Sequence, residues 1–425
     1  MLWPEGGEVH VRMLRGSSVS LGAAETTATP TQLTPSRRVI IPALGIAQIL
    51  AWGSSYYLPA VLAPSVVAET HWPLTWIIGG LSLGMLVGGI ASRRIGRAIH
   101  AHGGRPILAA SSVLIASGLL ITGLAHHLPV YLLGWLVLGL GMGSGLYDAA
   151  FATLGRLYGS EARTAISTLT LYGGFASTIC WPLSAFFVEH LGWRGACFAY
   201  AAIQVCFSLP TYLAAIPEPP KALPSSTPGQ GAATLDERNS APTEVRAFLL
   251  LAAVLTVGSA VQSVVGIHIL TILRDGRGFD LAAAVALGAL IGPSQVGARI
   301  IERLFGRRYE PIWTLSASVL FVALGLALLT LNLPLPGLAI IVYGGGNGLN
   351  SIARGTMPLA LFGPSHYAIW MGRVATPTLI AGALSPTVGA LLLDSIGSDG
   401  TLWVLTLCAT LNLAFVAALW RVPRS

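Results

Sequence analysis

The chain has 425 residues, 54% of them hydrophobic and only 10% charged, with a formal net charge of +7. A soluble domain carries about 25% charged residues, so a water-soluble fold is excluded and the mean hydropathy of +0.72 implies one large membrane domain. With Lys221 the sole lysine, no GxxxxGK[ST] phosphate loop exists. HExxH is also absent, and Cys180, Cys197, Cys206 and Cys408 lie singly in apolar runs. The expectation is therefore no cofactor, no metal and no enzyme.

Residues 1–36 are small and polar and read as a disordered cytoplasmic tail. Twelve apolar runs follow, each near the 20 residues a helix needs to cross a bilayer. Their approximate limits are 39–63, 74–95, 106–125, 129–154, 163–188, 194–216, 246–272, 280–301, 311–332, 336–360, 367–393 and 400–420. Between the sixth and seventh, residues 217–245 are rich in Pro, Ser, Thr and Gly and read as a cytoplasmic linker. The fold class is an all-α membrane protein with twelve transmembrane helices. They form two pseudo-symmetric six-helix bundles, 37–216 and 246–425.

Charge fixes the expected orientation. With the N-terminus inside, eighteen of the 24 basic residues fall on the cytoplasmic side. Both termini are thus placed in the cytoplasm and the basic balance needs no nucleic-acid partner. The bilayer is the expected partner, and the protein is expected to be a monomer.

The halves repeat. "GRAIHAHGGRP" (96–106) after the second run matches "ARIIERLFGRR" (298–308) after the eighth, aligning Arg97 with Arg299, Gly104 with Gly306 and Arg105 with Arg307. "WPLSAFFVEHLG" (181–192) likewise echoes "SPTVGALLLDSIG" (385–397). Paired repeats of this kind are the architecture of alternating-access transporters. Gly96, Arg97, His100, Gly104, Arg105, Arg299, Glu302, Arg303, Gly306 and Arg307 are the expected gating-loop residues. The bland alternative is that the arginines only anchor the chain to anionic lipid. "GLGMGSG" (139–145) and "GGGNG" (344–348) read as close-packing helix faces.

At these residues the chain resembles the major facilitator superfamily over roughly 38–421. Gly96, Gly103 and Arg105 fit that family's loop between its second and third helices, with His100 in place of its Asp. The family's R-x-x-Q-G motif in the fourth helix is missing its arginine, which weakens proton antiport and drug export. "GRxxxxxGGRP" and "LGWRG" (191–195) look like bacterial carriers related to those of oxalate/formate and monocarboxylates. The resemblance implies that helices one, four, seven and ten line a central cavity. The candidates on them are Gln48 and Trp52 in the first, Tyr147 and Asp148 in the fourth, Gln262 in the seventh, and Asn347, Asn350 and Arg354 in the tenth. Arg373 in the eleventh joins them. Tyr56 and Tyr57 fit an aromatic belt at the outer interface better.

A charge inside the hydrocarbon costs about 2.5–3.5 kcal/mol on insertion scales, so Asp148, Arg354 and Arg373 need partners or water. Asp148 is expected to pair with Arg354 or Arg373 when the cytoplasmic side is closed; the alternative is a permanent pair that only fixes packing. Two buried arginines suggest an anionic substrate, with carbonyl or carboxylate pairing at the inner mouth weighed equally. The functional expectation is a secondary transporter of a small solute, an organic anion by preference, in the cytoplasmic (inner) membrane, with a coupling proton. An efflux carrier for a toxic or amphipathic compound and a transporter-like sensor are the alternatives.

Overall fold

Glycines and prolines set the helix limits in the computed structural model, which describes residues 37–218 and 242–422. The tail 1–36 and residues 219–241 of the expected linker lie outside the described residues. So does the side chain of Arg307. Among the described residues there is no strand.

In the first half, α1 covers Arg37–Thr70, α2 Leu74–His102 and α3 Gly104–Gly123. Then α4 runs over 128–158, α5 over 162–191 and α6 over 193–215. The second half contains α7 Thr243–Gly276, α8 Leu281–Phe305, α9 Pro311–Thr330 and α10 Pro336–Phe362. It ends with α11 (367–396) and α12 (398–420). Eight continuous stretches are long and apolar enough to cross a membrane. Two of them turn back on themselves. Residues 128–215 turn at Gly159 and Gly192, and 367–420 turn at Gly397. Polar and glycine-rich α10 is the twelfth rod, 27 residues or about 40 Å long.

Gly192 and Gly397 both have φ of 70°, a left-handed conformation that costs a Cβ-bearing residue. They end α5 and α11, the same corner of each half, where the sequence repeat aligns them.

Among the described residues four of these rods are interrupted within their length. In α1 the helix stops at Gly53 and restarts at Leu58, where Pro59 has no N–H to extend the ladder. In α4 Leu146 is extended, between helices ending at Gly145 and starting at Tyr147. In α5 the break is at Phe175 and in α8 it is at Leu290.

The "GLGMGSG" stretch packs α4 against α2: a Cβ on Gly88 would come 2.9 Å from the Gly139 carbonyl oxygen. The glycine face is thus a close-packing device, as expected. One difference concerns the expected gating loops. No residue before Gly103 (φ 82°) interrupts α2, and α8 continues to Phe305. Gly96, Arg97, His100, Arg299, Glu302 and Arg303 therefore lie on helices, whose orientation fixes what each touches.

Candidate functional site

The break in α4 positions Asp148 in the first turn of the restarted helix. Unpaired N–H groups there favour a carboxylate. Arg354 of α10, in the other half, donates Nε to Oδ1 at 2.8 Å and Nη2 to Oδ2 at 2.5 Å. This is a bidentate fork, the strong form of the pair. The side chains retain 15% and 20% of their exposure. Asp148 is ten residues from the end of α4 and Arg354 eight from the end of α10, so both sit about 12–15 Å inside.

The same break explains Gln48. Its Nε2 donates to the Gly145 carbonyl at 2.5 Å, and the side chain is completely buried. Gln48 therefore does not line a cavity. It supplies a donor where the interrupted α4 leaves a carbonyl short of one.

Above the ion pair the first half presents an aromatic wall. The Trp52 ring is 5.0 Å from Tyr147, 5.3 Å from Tyr56 and 6.1 Å from Tyr57, centroid to centroid. Tyr57 meets Trp181 edge-on at 6.2 Å, and Tyr147 stacks on Phe151 at 5.0 Å. Trp52 Nε1 is buried without a hydrogen-bond partner. Tyr56 and Tyr57 thus belong to this cluster, drawn in by the break in α1.

Facing the wall is Arg299 of α8, 6% exposed. Its Nη1 donates to the Thr170 carbonyl of α5 at 3.0 Å, and the Tyr147 hydroxyl donates to that same oxygen at 3.3 Å. Its other two bonds are long: Nε to the Gly348 carbonyl and Nη2 to Gln295 Oε1, both 3.4 Å. Arg299 acts electrostatically on Tyr57 and Tyr147. Among the described residues no carboxylate pairs with it. A buried guanidinium with neutral acceptors only keeps a large unmet demand for negative charge. The sequence repeat places Arg299 opposite Arg97 in a gating loop; the helix instead points it at the aromatic wall.

Two seams join the halves at the end rich in basic residues. Along α5–α8, Arg163 donates Nη2 to the Gly306 carbonyl at 2.6 Å and Nη1 to the Tyr309 carbonyl at 2.5 Å. It also lies 3.6 Å from Glu302 Oε1. Arg303 Nε donates to Thr168 Oγ1 at 3.0 Å. Along α2–α11, Gly96 meets Gly372 so closely that a Cβ on Gly96 would come 3.0 Å from the Gly372 Cα. His100 stacks on His366 at 5.5 Å. The outer segments Leu58–Thr70, Leu128–Gly145 and Leu281–Ala289 pack substantially only within their own halves. The halves are thus joined at the basic end, whereas these three segments at the other end make no substantial contact across them.

The remaining expected residues fall elsewhere. Arg105 is not a link between the halves: its Nη1 donates to Glu218 Oε1 at 2.5 Å, just past α6 in the same half. Gly104 packs on Thr153 of α4, also in its own half. Arg97 and Gln262 are exposed. Asn347 and Asn350 line a cavity of about 10 Å³ with Ser318 and Asn412, inside the second half. That volume is the room one water needs. Arg373 is not the partner of Asp148, which bonds Arg354, but lies 4.7 Å over the Trp370 ring in a separate cleft. Arg163, Thr168, Thr170 and His366 were not expected. A buried Glu302 required a basic partner, yet only the packing of α5 on α8 says that Arg163 supplies it.

The sequence profile of the Major Facilitator Superfamily matches residues 44–357. Mouse monocarboxylate transporter 11 is 26% identical over 321 residues, 73% of this chain; the match spans 63% of that relative's length. Solved transporters share the fold. The human organic anion transporter TETRAN has a TM-score of 0.69 at 15% identity, covering 90% of this chain and all of that one. FucP in its outward conformation also reaches 0.69, at 16% identity over 90% and 99% of the two chains. The proton:xylose symporter XylE reaches 0.67 at 14% identity, over 92% and 97%. With the profile spanning well over half its length, this multi-pass membrane chain belongs to the Major Facilitator Superfamily.

Proposed function

We propose that the protein is a secondary transporter that moves a small organic monoanion with an apolar body by alternating access. The observation that carries this reading is Arg299, a buried guanidinium without a carboxylate, facing Trp52, Tyr57 and Tyr147. A carboxylate replaces the two long 3.4 Å bonds of Arg299 with a charge-assisted fork. The aromatic wall takes the apolar body, and the unpartnered Trp52 N–H offers a further donor. Two proteins similar to this chain are named for monocarboxylate and organic anion transport, which agrees with that chemistry.

The parted outer segments make the present conformation the one that receives substrate from the side opposite the basic end. The halves 37–216 and 246–425 then rock about the site, with 217–245 as the tether. Opening the basic end requires Asp148 and Arg354 to separate, along with the bonds of Arg163 and Arg303. A proton on Asp148 weakens its hold on Arg354, so this carboxylate is the coupling site. The distribution of Lys and Arg supports a cytoplasmic basic end, and hence both termini inside at the inner membrane, with a monomer as the working unit.

The test is a thermal-shift panel on the purified protein, followed by uptake into proteoliposomes. Lactate, pyruvate, benzoate and phenylacetate are compared with benzamide, fucose and xylose. At least one carboxylate is expected to stabilise the protein and to be taken up, whereas benzamide does neither. Arg299→Gln abolishes both effects and Arg299→Lys retains part. Stabilisation by a sugar but by no carboxylate, or unchanged carboxylate binding in Arg299→Gln, contradicts the reading.

A further inference from the structure

A cleft of about 320 Å³ lies between α2, the start of α7 and α11, apart from the central site. Its basic groups are Arg93 from the first half and Arg373 from the second. Arg373 Cζ lies over the Trp370 ring, 4.7 Å from its centroid, and Trp370 is held between Phe362 at 4.2 Å and Phe248 at 5.6 Å. A guanidinium over an aromatic face keeps N–H donors for a second partner, and Arg373 lines the cleft. No carboxylate among the described residues bonds to Arg373. Arg93 and Arg97 add positive charge beside it.

The surroundings indicate what fills this space. Arg373 is six residues inside α11, about 9 Å from its basic end, the depth at which headgroups give way to acyl chains. Val245 lines the cleft and is exposed, as are Ile90, three residues before Arg93, and Leu249, next to Phe248; in a membrane-spanning segment such exposure means contact with acyl chains. Gly372, one residue before Arg373, is sealed against Gly96, so the cleft lies outside the α2–α11 seam.

We propose that this cleft binds the phosphodiester headgroup of an anionic phospholipid from the basic-end leaflet. The phosphate accepts from Arg373 and is neutralised by Arg93, while an acyl chain runs along Val245 and Phe248. Basic pockets between helices at this face suit such headgroups. The lipid touches both halves, so it favours the conformer closed at the basic end.

The experiment is native mass spectrometry of the full chain in neutral detergent. Phosphatidylglycerol is titrated against phosphatidylcholine, with inorganic phosphate in a separate arm. The parent is expected to retain at least one phosphatidylglycerol, with retention falling tenfold or more in Arg373→Gln and partly kept in Arg373→Lys. Arg421→Gln, at the same end but outside the cleft, retains it. If Arg373→Gln fails to fold, Thr376→Phe fills the cleft with both arginines kept and is expected to lose the lipid equally. Equal retention of phosphatidylcholine, parent-like binding in the cleft variants, or competition by inorganic phosphate at equal concentration overturns the proposal.

Discussion

Along α5–α8 the halves are joined by guanidinium groups: Arg163 spans to Glu302, Gly306 and Tyr309, Arg303 to Thr168 and Arg299 to Thr170. Along α2–α11 they are joined by glycines and a histidine stack, with Gly96 on Gly372, Gly89 on Leu379 and Ile380, and His100 on His366. Pseudo-symmetry relates the helices of one seam to those of the other, and the sequence repeat aligns Gly104 with Gly306. Their roles nevertheless diverge. Gly306 offers its carbonyl across the seam, whereas Gly104 packs within its own half. A polar seam breaks by exchanging donors with water, at modest net cost per bond. A glycine seam is held by dispersion over a close fit and either matches or does not. The polar seam is therefore the side suited to opening and the glycine seam the side suited to act as a pivot.

The largest expected effect comes from the ion pair that lies between the seams. Asp148→Asn or Arg354→Gln alone leaves one partly buried group, 15–20% exposed, without its partner; breaking a buried pair costs about 3–5 kcal/mol, and the lower end applies. The closed conformer is then disfavoured by 100-fold or more relative to the parent. Combining both changes restores part of that loss. Double electron–electron resonance between labels on Ser160 and Arg308 reads the conformer ratio directly. Singles that match the parent would leave the pair as packing only.

Next is the glycine seam. Gly372→Leu forces a side chain against the backbone of α2, and overpacking of this kind costs about 1–3 kcal/mol. The expected signature is a lower thermal midpoint together with a longer distance between labels on His102 and Ser365. The Ser160–Arg308 distance should change less. Equal changes at both pairs of positions would mean that the seams do not act separately.

Arg163→Gln is expected to have a smaller effect. Glu302 keeps its bond from Thr314 at 3.3 Å but loses its cationic neighbour, and the Gly306 and Tyr309 carbonyls lose their donors. A shift of about tenfold in conformer ratio is expected, in line with a hydrogen bond to a charged group at about 1.5–3 kcal/mol. Arg105→Ala stands last. Its partner Glu218 is 76% exposed, and surface pairs contribute little. Uptake and conformer ratio should stay within about threefold of the parent, and a larger loss would return Arg105 to the gate.

The helices were legible because each run is long and apolar and ends at a glycine, proline or basic cluster. Asp148 with Arg354 was legible as well, since two charges at matched depth in repeated helices have few other ways to be satisfied. The breaks in α1 and α4 were not, because a glycine run such as 141–145 serves a continuous packing face equally well. Two misreadings followed. Gln48 was placed in the cavity although it serves the α4 break, and Tyr56 and Tyr57 were placed at the interface although they line the wall. The repeat also made Arg299 look like a loop residue, because alignment fixes position along the chain but not which face of α8 a side chain occupies.

Carboxylate binding to the parent and to Arg299→Gln, read by isothermal titration in the same detergent, tests the central claim most directly. The ligand is whichever monocarboxylate stabilises the parent most. Measurable heat with the parent, none with Arg299→Gln and an unchanged circular dichroism spectrum are predicted. Equal affinity in the two proteins would contradict Arg299 as the anion's anchor, and with it the account of how Arg299 and the aromatic wall serve transport.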